Sequence, residues 1–408
     1  MTDKVREQYE SYPYPYRDPA DESGPLRVGS PSHIDEINHY IYAGHPDFRE
    51  PFRVLIAGGG SGDALIMLAQ QLADAHCPSE VVYLDLSHAS RELAKTRAQA
   101  RGLSNVRYIV ASLLDAPQYG PFDYIDCCGV LHHLETPQLG FAALAKALKP
   151  DGGIGIMVYG TLGRTGVYPI QEMLRTIVGD GSFPKRIDIT KRLIEELPPT
   201  NWLLMNKAIG DYKRSDAGLV DFLLHSRDRP YRVHEVAKEV AAAGLRLVSF
   251  IEPYRYDPYT FVSDPVVRER IKKLSWLDRC AFAELLSGDL QKHIFYCVRV
   301  DNKAETIAKS DSANAIPIIR DISGPKLAQT IKKNGALRVD LSGKIYNPDL
   351  PLHAAEILML VDGRKTLQTI HQQLGGNIDW ITFHQQFNVL YKILSQHNKM
   401  TIRYAPQA

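Results

Sequence analysis

The sequence predicts an α/β protein in which helices cover a largely parallel β-sheet. Two observations support this fold class. Between Arg53 and Gly160, short apolar runs alternate with helical stretches, and the first apolar run enters the first helix through a cluster of glycines. Alternating strands and helices build βαβ units, and such units place helices on both faces of a parallel sheet.

The elements fall into four segments, and the second contains an insertion. Residues 1–50 form an N-terminal arm, rich in Tyr and Pro, that includes one short helix. Residues 51–300 carry the alternating pattern, but an irregular insertion at about 161–232 interrupts it, and we predict that this insertion is a helical lid. The polar residues 301–315 predict a linker. Residues 316–408 have their own strand and helix signals and predict a small α+β accessory domain.

Composition excludes several classes of function. The 48 Lys and Arg residues nearly balance the 47 Asp and Glu residues, so no net field favours nucleic acid or anionic lipid. The five cysteines form no CxxC pair, which argues against a disulfide framework and a structural zinc site, and we predict no metal. The N-terminal stretch lacks the apolar core of a signal peptide, and no apolar run approaches about 18 residues. We therefore expect a cytoplasmic protein that does not contact membranes.

The segment "VLIAGGGSGDALI" (54–66) predicts a nucleotide-binding turn. Gly58, Gly59, Gly60 and Gly62 remove side chains where a ligand must approach the backbone, and the following helix offers free N–H groups. The alternative is a tight strand-to-helix connection without a ligand. A dinucleotide fingerprint requires G-x-G-x-x-G, but Asp63 occupies the position of its third glycine.

Four motifs follow one another in the order found in one enzyme family. "VLIAGGGSGDAL", "VVYLDLSHASRELAKTRA", "FDYIDCCGVLHHL" and "LAKALKPDGGIGIMVYG" resemble the motifs of class I S-adenosylmethionine-dependent methyltransferases. The resemblance implies a Rossmann-like sheet, S-adenosyl-L-methionine as the cofactor, and methyl transfer as the reaction.

The resemblance also assigns cofactor residues. The backbone at Gly58 and Gly60 would face the methionine portion, and Asp85, followed by Leu86, would hold the ribose at the end of the second strand. Without the resemblance, Asp85 is equally consistent with a surface carboxylate. Gly129, at the end of the fourth strand, would let cofactor and acceptor approach each other.

Recognition of adenine departs from the family pattern. The family commonly has an acidic residue after the third strand, whereas "ASLLD" places Ser112 at that position. Three alternatives remain open: the Ser112 hydroxyl takes this role, Asp115 reaches back, or only the Leu113 amide contacts the ring.

The N-terminal "YESYPYPYRDP" resembles the Tyr-Pro openings of bacterial methyltransferases in which an arm folds over the cofactor pocket. Tyr9, Tyr12 and Tyr14 are then candidates to contact the cofactor or to cover the acceptor, and Tyr14 is our predicted cofactor residue. The alternative is a disordered or surface-packed arm.

Three histidines are candidate general bases. His132 and His133 follow the fourth strand at the edge where open α/β sheets bind ligands, and the alternative for both is packing. His225 lies in "DFLLHSRDRPYRV" (221–233) of the lid, where an arginine could anchor an anionic acceptor. The alternative for this segment is a capped helix end with ion pairs.

The acceptor is expected to be a small molecule or a peptide or protein side chain. Nucleic acid is disfavoured because the Asn/Asp-Pro-Pro-aromatic motif of base-modifying relatives is absent. The C-terminal segment with "VDGRKT" is similar in pattern to winged-helix and peptide-recognition domains, so we expect it to contact a protein. Two alternatives stay open: a catalytically silent cofactor-binding scaffold, and a dinucleotide-dependent oxidoreductase.

Overall fold

The computed structural model describes residues 3–45, 48–179, 181–341, 343–375 and 378–405. Its largest sheet has seven strands. These are β1 (Phe52–Ala57), β2 (Ser79–Asp85), β3 (Val106–Val110), β4 (Phe122–Cys128), β5 (Leu148–Tyr159), β6 (Leu245–Phe250) and β7 (Lys292–Arg299).

The strand order is β3-β2-β1-β4-β5-β7-β6. Neighbouring strands from β3 to β5 pair in parallel, whereas β7 runs antiparallel to β5. This mixed sheet with its flanking helices confirms the predicted Rossmann-like class. The order changes direction between β1 and β4, and open α/β sheets bind ligands at such a switch point.

The helices that precede, flank and interrupt this sheet are α1 (Asp3–Ser11), α2 (Ile34–Ile41), α3 (Asp63–Asp74), α4 (His88–Ala100), α5 (Pro137–Ala147), α6 (Val167–Ile177), α7 (Phe183–Glu195), α8 (Trp202–Met205), α9 (Asp216–Leu223), α10 (Val233–Ala242), α11 (Pro265–Ile271) and α12 (Trp276–Ser287). Short 3₁₀ turns include Pro19–Ser23, Leu113–Gln118 and Leu131–His133.

Local sequence explains the first β-to-α connection. Val54, Leu55 and Ile56 of β1 are almost completely buried, as expected for a central parallel strand. In α3, Leu65 and Leu72 are fully buried at positions two helical turns apart, so one stripe of the helix faces the core. The two elements therefore fix the glycine turn between them.

The insertion forms a helical layer with its own core. Helices α6 to α9 bury a shared apolar cluster that includes Ile170, Leu174, Leu203, Val220 and Leu223. The predicted irregular lid is therefore a packed helical layer.

The chain divides into two compact units. The first unit comprises Met1–His33, Phe48–Leu247 and Ser287–Asn302, and the second comprises Ile34–Asp47, Val248–Leu286 and Lys303–Ala408. These boundaries differ from the predicted segments, because α2 and the stretch that contains α11 cluster with the C-terminal residues. The predicted division into domains is retained as a proposal.

The residues that the structure describes in the C-terminal part of the second unit form four short strands and four helices. They are β8 (Ile316–Ile319), α13 (Gly324–Asn334), β9 (Val339–Leu341), β10 (Lys344–Tyr346), α14 (Ala354–Leu360), α15 (Leu367–Gln373), α16 (Trp380–Gln396) and β11 (Met400–Arg403). Strand β8 pairs with β11, and β9 pairs with β10. The likeness to winged-helix domains stays a prediction.

Buried polar contacts explain why α2 belongs to this unit. The carboxylate of Glu36 accepts hydrogen bonds from Arg320 and, at 2.8 Å, from Asn398. The predicted linker also packs here, because the Ala308 N–H donates to the His39 carbonyl at 2.7 Å. Within the described part of the chain, no helix is both long and apolar enough to cross a membrane.

Candidate active site

A cavity of about 620 Å³ opens at the carboxyl ends of β1, β2, β4 and β5 in the first unit. It reaches most of the predicted cofactor residues. Those that line it are Tyr14, Gly58, Gly59, Gly60, Asp85, Leu86, Leu113 and Gly129.

The glycine turn forms one wall of this cavity. Gly58 and Gly60 have φ angles of 77° and 50°, which side-chain-bearing residues rarely adopt. A Cβ on Gly58 would overlap Val130, and one on Gly60 would lie 2.9 Å from the Tyr14 carbonyl oxygen. Gly62 lies outside the cavity lining, where its own φ of 97° begins α3. Packing against Val130 and Tyr14 therefore requires glycine at Gly58 and Gly60, and both residues also line the cavity.

Asp85 lies at the end of β2, where the resemblance predicts a ribose contact. Its Oδ2 accepts from the Gly60 N–H at 2.8 Å, and its Oδ1 accepts from the Ser87 N–H at 2.9 Å. Burial raises the pKa of the Asp85 carboxyl, although these backbone hydrogen bonds oppose the shift. The carboxylate is thus held in place by the turn and by the N-cap of α4, and it faces the cavity.

The residues that follow β3 distinguish the three alternatives for adenine recognition. The Ser112 hydroxyl accepts from the Leu114 N–H at 3.2 Å, and Asp115 Oδ2 accepts from the Ser112 N–H at 3.2 Å. Ser112 and Asp115 therefore form a capping box for a 3₁₀ turn, and neither belongs to the cavity lining. Leu113 and Ala111 do line it. This geometry favours contact through Leu113 over a contact through Ser112.

The N-terminal arm covers the cavity. Tyr9 and Tyr14 line it, whereas Tyr12 packs against Phe183 of the lid with ring centroids 5.4 Å apart. Two of the three tyrosines that we considered therefore reach the site, and the third anchors the arm to the lid.

Charged contacts hold the arm against α3 and α4. The Glu10 carboxylate accepts from the N–H groups of His88 and Ala89 at 2.7 and 3.0 Å, so it caps the first turn of α4. Arg17 donates to both carboxylate oxygens of Asp63 at 2.8 and 2.5 Å. Asp63, which occupies the position of the third glycine in a dinucleotide fingerprint, therefore supplies the carboxylate that binds the arm.

A buried polar cluster lies beside the cofactor residues. The Tyr9 hydroxyl donates to Asp221 Oδ1 at 3.1 Å, and the Tyr159 hydroxyl donates to Asp221 Oδ2 at 3.1 Å. His225 Nε2 lies 3.3 Å from the Tyr9 hydroxyl, and the His225 ring stacks on His133 with centroids 3.8 Å apart. The arm, β5 and the lid therefore meet at one aspartate.

The backbone of Arg227 sets the tautomers of both rings. Its N–H donates to His225 Nδ1 at 3.0 Å, so a neutral His225 carries its proton on Nε2. Burial lowers the pKa of His225 well below its usual range, which keeps the ring neutral. His133 Nδ1 lies 2.8 Å from the Arg227 carbonyl oxygen and donates to it, so a neutral His133 has a free lone pair on Nε2.

One ligand atom from each of His133, Asp221 and His225 lies within 4.8 Å of the others, a spacing at which metal ligands occur. The two imidazole planes, however, are only 19° apart, so their lone pairs lie in nearly parallel planes and do not converge on one ion. We therefore describe the cluster as a hydrogen-bond network.

The three predicted histidines differ in access. His133 lines the cavity, whereas His132 and His225 do not. His132 is fully buried, its ring stacks on Tyr159 at 3.9 Å, and burial lowers its pKa well below the usual range. This placement fits the packing alternative for His132 and leaves His133 as the histidine that faces the cavity.

Charged residues of the segment 221–233 are already paired. Asp228 forms an ion pair at 3.0 Å with Arg164, a buried residue whose guanidinium carbon lies 3.7 Å from the Tyr159 ring centroid. Arg227 and Arg229 each form an ion pair with a glutamate. These contacts fit the ion-paired alternative for the segment better than an arginine that is free for an anionic acceptor.

Sequence reasoning missed one buried acid. Asp126 on β4 lines the cavity and is 1 % exposed, and its Oδ2 accepts from the Ser32 hydroxyl at 2.6 Å. Its Oδ1 has no hydrogen-bond partner among the described residues. The signal was visible as an acidic residue inside the otherwise apolar run "YIDCC".

Comparison with known proteins identifies the domain. Residues 55–154 match a family model described as a methyltransferase domain. An uncharacterised protein of Synechococcus sp. is 28 % identical over 313 residues, which are 73 % of this chain and 72 % of that protein. A ubiquinone biosynthesis O-methyltransferase of Idiomarina loihiensis is 30 % identical over 138 residues, which are 34 % of this chain and 52 % of that enzyme.

A solved structure has the same fold. PKMT2 from Rickettsia typhi aligns with a TM-score of 0.64 at 16 % identity, over 93 % of this chain and 76 % of that one, and its complex with AdoHcy aligns with a TM-score of 0.63. The matched domain, the sheet order and the glycine-lined cavity together support a class I S-adenosylmethionine-dependent methyltransferase domain in the first unit.

Proposed function

We propose that the chain transfers a methyl group from S-adenosylmethionine to a hydroxyl or amine of a small molecule or of a peptide or protein side chain. The observation that supports this proposal is a single cavity that joins the cofactor residues Asp85 and Gly129 to His133. An acceptor that carries a proton needs a base beside the attacking atom, and His133 offers a free lone pair there.

The bound cofactor would supply the chemistry as a sulfonium, an activated methyl donor. The bare glycine turn and Asp85 would hold it, and Leu113 would contact the adenine. His133 Nε2 would accept the acceptor's proton. Asp221 would stabilise the positive charge that develops on His133, because its carboxylate lies in the same buried cluster.

The arm and lid have a second role in this proposal. Tyr9, Tyr14 and Asp221 border the cavity, so a closed arm limits water around the reacting atoms. Orientation of the acceptor behind the methyl carbon then supplies most of the rate enhancement.

The first test is cofactor binding. We expect S-adenosylmethionine and S-adenosylhomocysteine to bind in calorimetry, Asp85→Ala to weaken both by about 10-fold or more, and Asp74→Ala to change neither. Asp74 is a suitable control because it is an exposed carboxylate of α3. Binding of NAD in place of both ligands would favour the oxidoreductase alternative.

The second test is turnover. The Idiomarina relative is named an O-methyltransferase, so small molecules with a hydroxyl group, such as phenols, form one acceptor class to test, and peptides with lysine or hydroxyl side chains form another. We expect formation of S-adenosylhomocysteine with at least one class. A protein that binds the cofactor but forms no product with phenols, amines or peptides would instead support the silent-scaffold alternative.

A protein-contacting role for residues 316–408 remains part of the proposal. Leu352 and Ile381 are 84 % and 68 % exposed, which is unusual for large aliphatic side chains and suits a contact surface. If a peptide acceptor is found, replacement of both residues by serine should raise its KM and leave turnover of a small phenol unchanged. A cytoplasmic location is likewise proposed, because five free thiols suit a reducing compartment.

A further inference from the structure

We propose that Asp126 receives the α-ammonium group of the cofactor's methionine portion. This inference rests on the proposed function, because it assigns one end of the same ligand. Sequence resemblance assigned the methionine portion only to the backbone of Gly58 and Gly60, so a charged contact at this end adds a specific recognition group.

The first argument is the unsatisfied oxygen. Asp126 is 1 % exposed, and the Ser32 hydroxyl occupies only its Oδ2. Oδ1 has no partner among the described residues, although the side chain lines the cavity. A buried carboxylate oxygen without a hydrogen-bond partner destabilises the folded protein. Because Asp126 lines the cavity, a cationic group of the ligand would provide the missing partner for Oδ1.

The second argument is position within the sheet. Asp126 pairs in register with Ile56, which lies two residues before Gly58, so the carboxylate lies at the level just below the glycine turn. Asp126 and Cys128 are two residues apart on β4, share one face of the sheet and both line the cavity. The free oxygen is therefore on the side of the sheet that the cofactor occupies.

The third argument is distance across the sheet. The nucleoside residues Asp85 and Leu113 follow β2 and β3, and the order then continues through β1 to β4. Two strand spacings separate β2 from β4 by about 10 Å. The chain of single bonds from the ribose through the sulfonium to the α-nitrogen extends over a similar distance, so the ammonium group would reach β4.

An amine acceptor fits this carboxylate less well. A methyl acceptor nitrogen must present its lone pair, but an aspartate beside it favours the ammonium form, which has none. The groups suited to an acceptor, His133 and Tyr159, lie instead beyond the carboxyl end of β4 and at the carboxyl end of β5, whereas Asp126 lies two residues before the end of β4. The α-ammonium of the cofactor stays protonated throughout the reaction and meets no such conflict.

The protonation of the Asp126 carboxyl in the absence of ligand is consistent with this role. Burial raises the pKa of Asp126 to about 7, and only the Ser32 hydrogen bond opposes the shift. An incoming ammonium group would stabilise the ionised carboxylate, because opposite charges in a buried site favour each other's charged form.

The test compares two ligands that differ only at this end. S-adenosylhomocysteine carries the amino-acid group, and methylthioadenosine lacks it. With Asp126→Asn, we expect S-adenosylhomocysteine to bind about 10-fold to 100-fold more weakly in calorimetry, and methylthioadenosine to bind within twofold of the wild type. Asp85→Asn, in contrast, should weaken both ligands, and Asp74→Asn should weaken neither.

A ligand analogue removes the dependence on how well the variant folds. The wild-type protein should lose a similar factor for an S-adenosylhomocysteine analogue whose α-amino group is replaced by hydroxyl, and Asp126→Asn should add no further loss for that analogue. Equal effects of Asp126→Asn on both natural ligands, or none on either, would overturn the inference. If the wild type binds no S-adenosylhomocysteine at all, the proposed function itself fails.

Discussion

The hydroxyl of Tyr9 donates a hydrogen bond to Asp221 at 3.1 Å, although 212 residues separate the two along the chain. This contact joins the N-terminal arm to the lid insertion at the wall of the cofactor cavity. Because Asp221 also accepts from Tyr159 of β5, removal of the Tyr9 hydroxyl leaves one carboxylate oxygen and the neighbouring His225 N–H without their shared partner.

We therefore expect Tyr9→Phe to lower kcat about 10-fold, because loss of a buried hydrogen bond to a charged group costs about 1.5 kcal/mol or more. Binding of S-adenosylhomocysteine should change less than threefold. Steady-state kinetics with an identified acceptor measure the first effect and calorimetry the second. Tyr12→Phe is the matched control, since Tyr12 contacts Phe183 through its ring. Equal loss in both variants would contradict a role for the hydroxyl.

His133→Ala should lower kcat by about 10² to 10⁴ if this residue removes the acceptor's proton. S-adenosylhomocysteine affinity should stay near that of the wild type, because the contacts assigned to the cofactor lie elsewhere. His88→Ala, which changes an exposed ring on α4, should leave kcat unaltered. Full activity of His133→Ala would move the base to another residue or show that none is needed.

The raised pKa of Asp126 should make the free energy of unfolding decrease as the pH rises. Its pKa is raised in the folded protein to about 7 from an ordinary 3.8, so between these values the unfolded chain releases a proton that the folded chain keeps. The free energy of unfolding therefore falls as the pH rises through this window, by at most about 4 kcal/mol.

Asp126→Asn removes this penalty. In urea titrations without ligand, the variant should gain stability relative to the wild type, and the gain should be larger at pH 8 than at pH 5. A gain that does not vary with pH would show that Asp126 does not titrate in this window. Higher stability together with weaker S-adenosylhomocysteine binding would separate ligand recognition from a structural role.

Arg17→Ala should loosen the arm. The variant loses two hydrogen bonds to Asp63, whose carboxylate is only partly exposed, so we expect S-adenosylhomocysteine affinity to fall about 3-fold to 30-fold. Hydrogen exchange of residues 3–16 should accelerate in the absence of ligand. Arg27→Ala is the control, because the Arg27 side chain is 77 % exposed and its ion pair with Asp21 is long, at 3.9 Å. Unchanged exchange would contradict the anchoring role of Arg17.

Local spacing was sufficient to predict many of the residues that line the candidate cofactor cavity. Gly58, Gly60 and Asp85 each follow a strand in a βαβ pattern, and the chain folds that pattern as expected. Ser112 was harder to assign, because a serine before a helical turn serves equally as a cap, and here it does so with Asp115. Propensity alone does not distinguish a capping hydroxyl from a ligand-binding one.

Contacts between distant segments could not be predicted from the sequence. The pairing of Tyr9 with Asp221 depends on how the arm and the lid fold over the sheet, and no short motif encodes it. The membership of α2 in the second unit depends on Glu36 meeting Arg320, which lies 284 positions later. For Asp126, the sequence contained the signal, but the strand face that it occupies became clear only from the register with Ile56.

The capping of α4 by Glu10 and the pairing of Tyr9 with Asp221 affect how the protein is made. Ribosomes add about 5–20 residues per second, so the 212 residues between Tyr9 and Asp221 take roughly 10–40 s to synthesise. Within that interval α4 is synthesised well before the lid, so the arm's partner on α4 becomes available earlier than Asp221. The wall of the cavity is therefore completed only after the lid has been synthesised, and until then the Tyr9 hydroxyl lacks its partner Asp221.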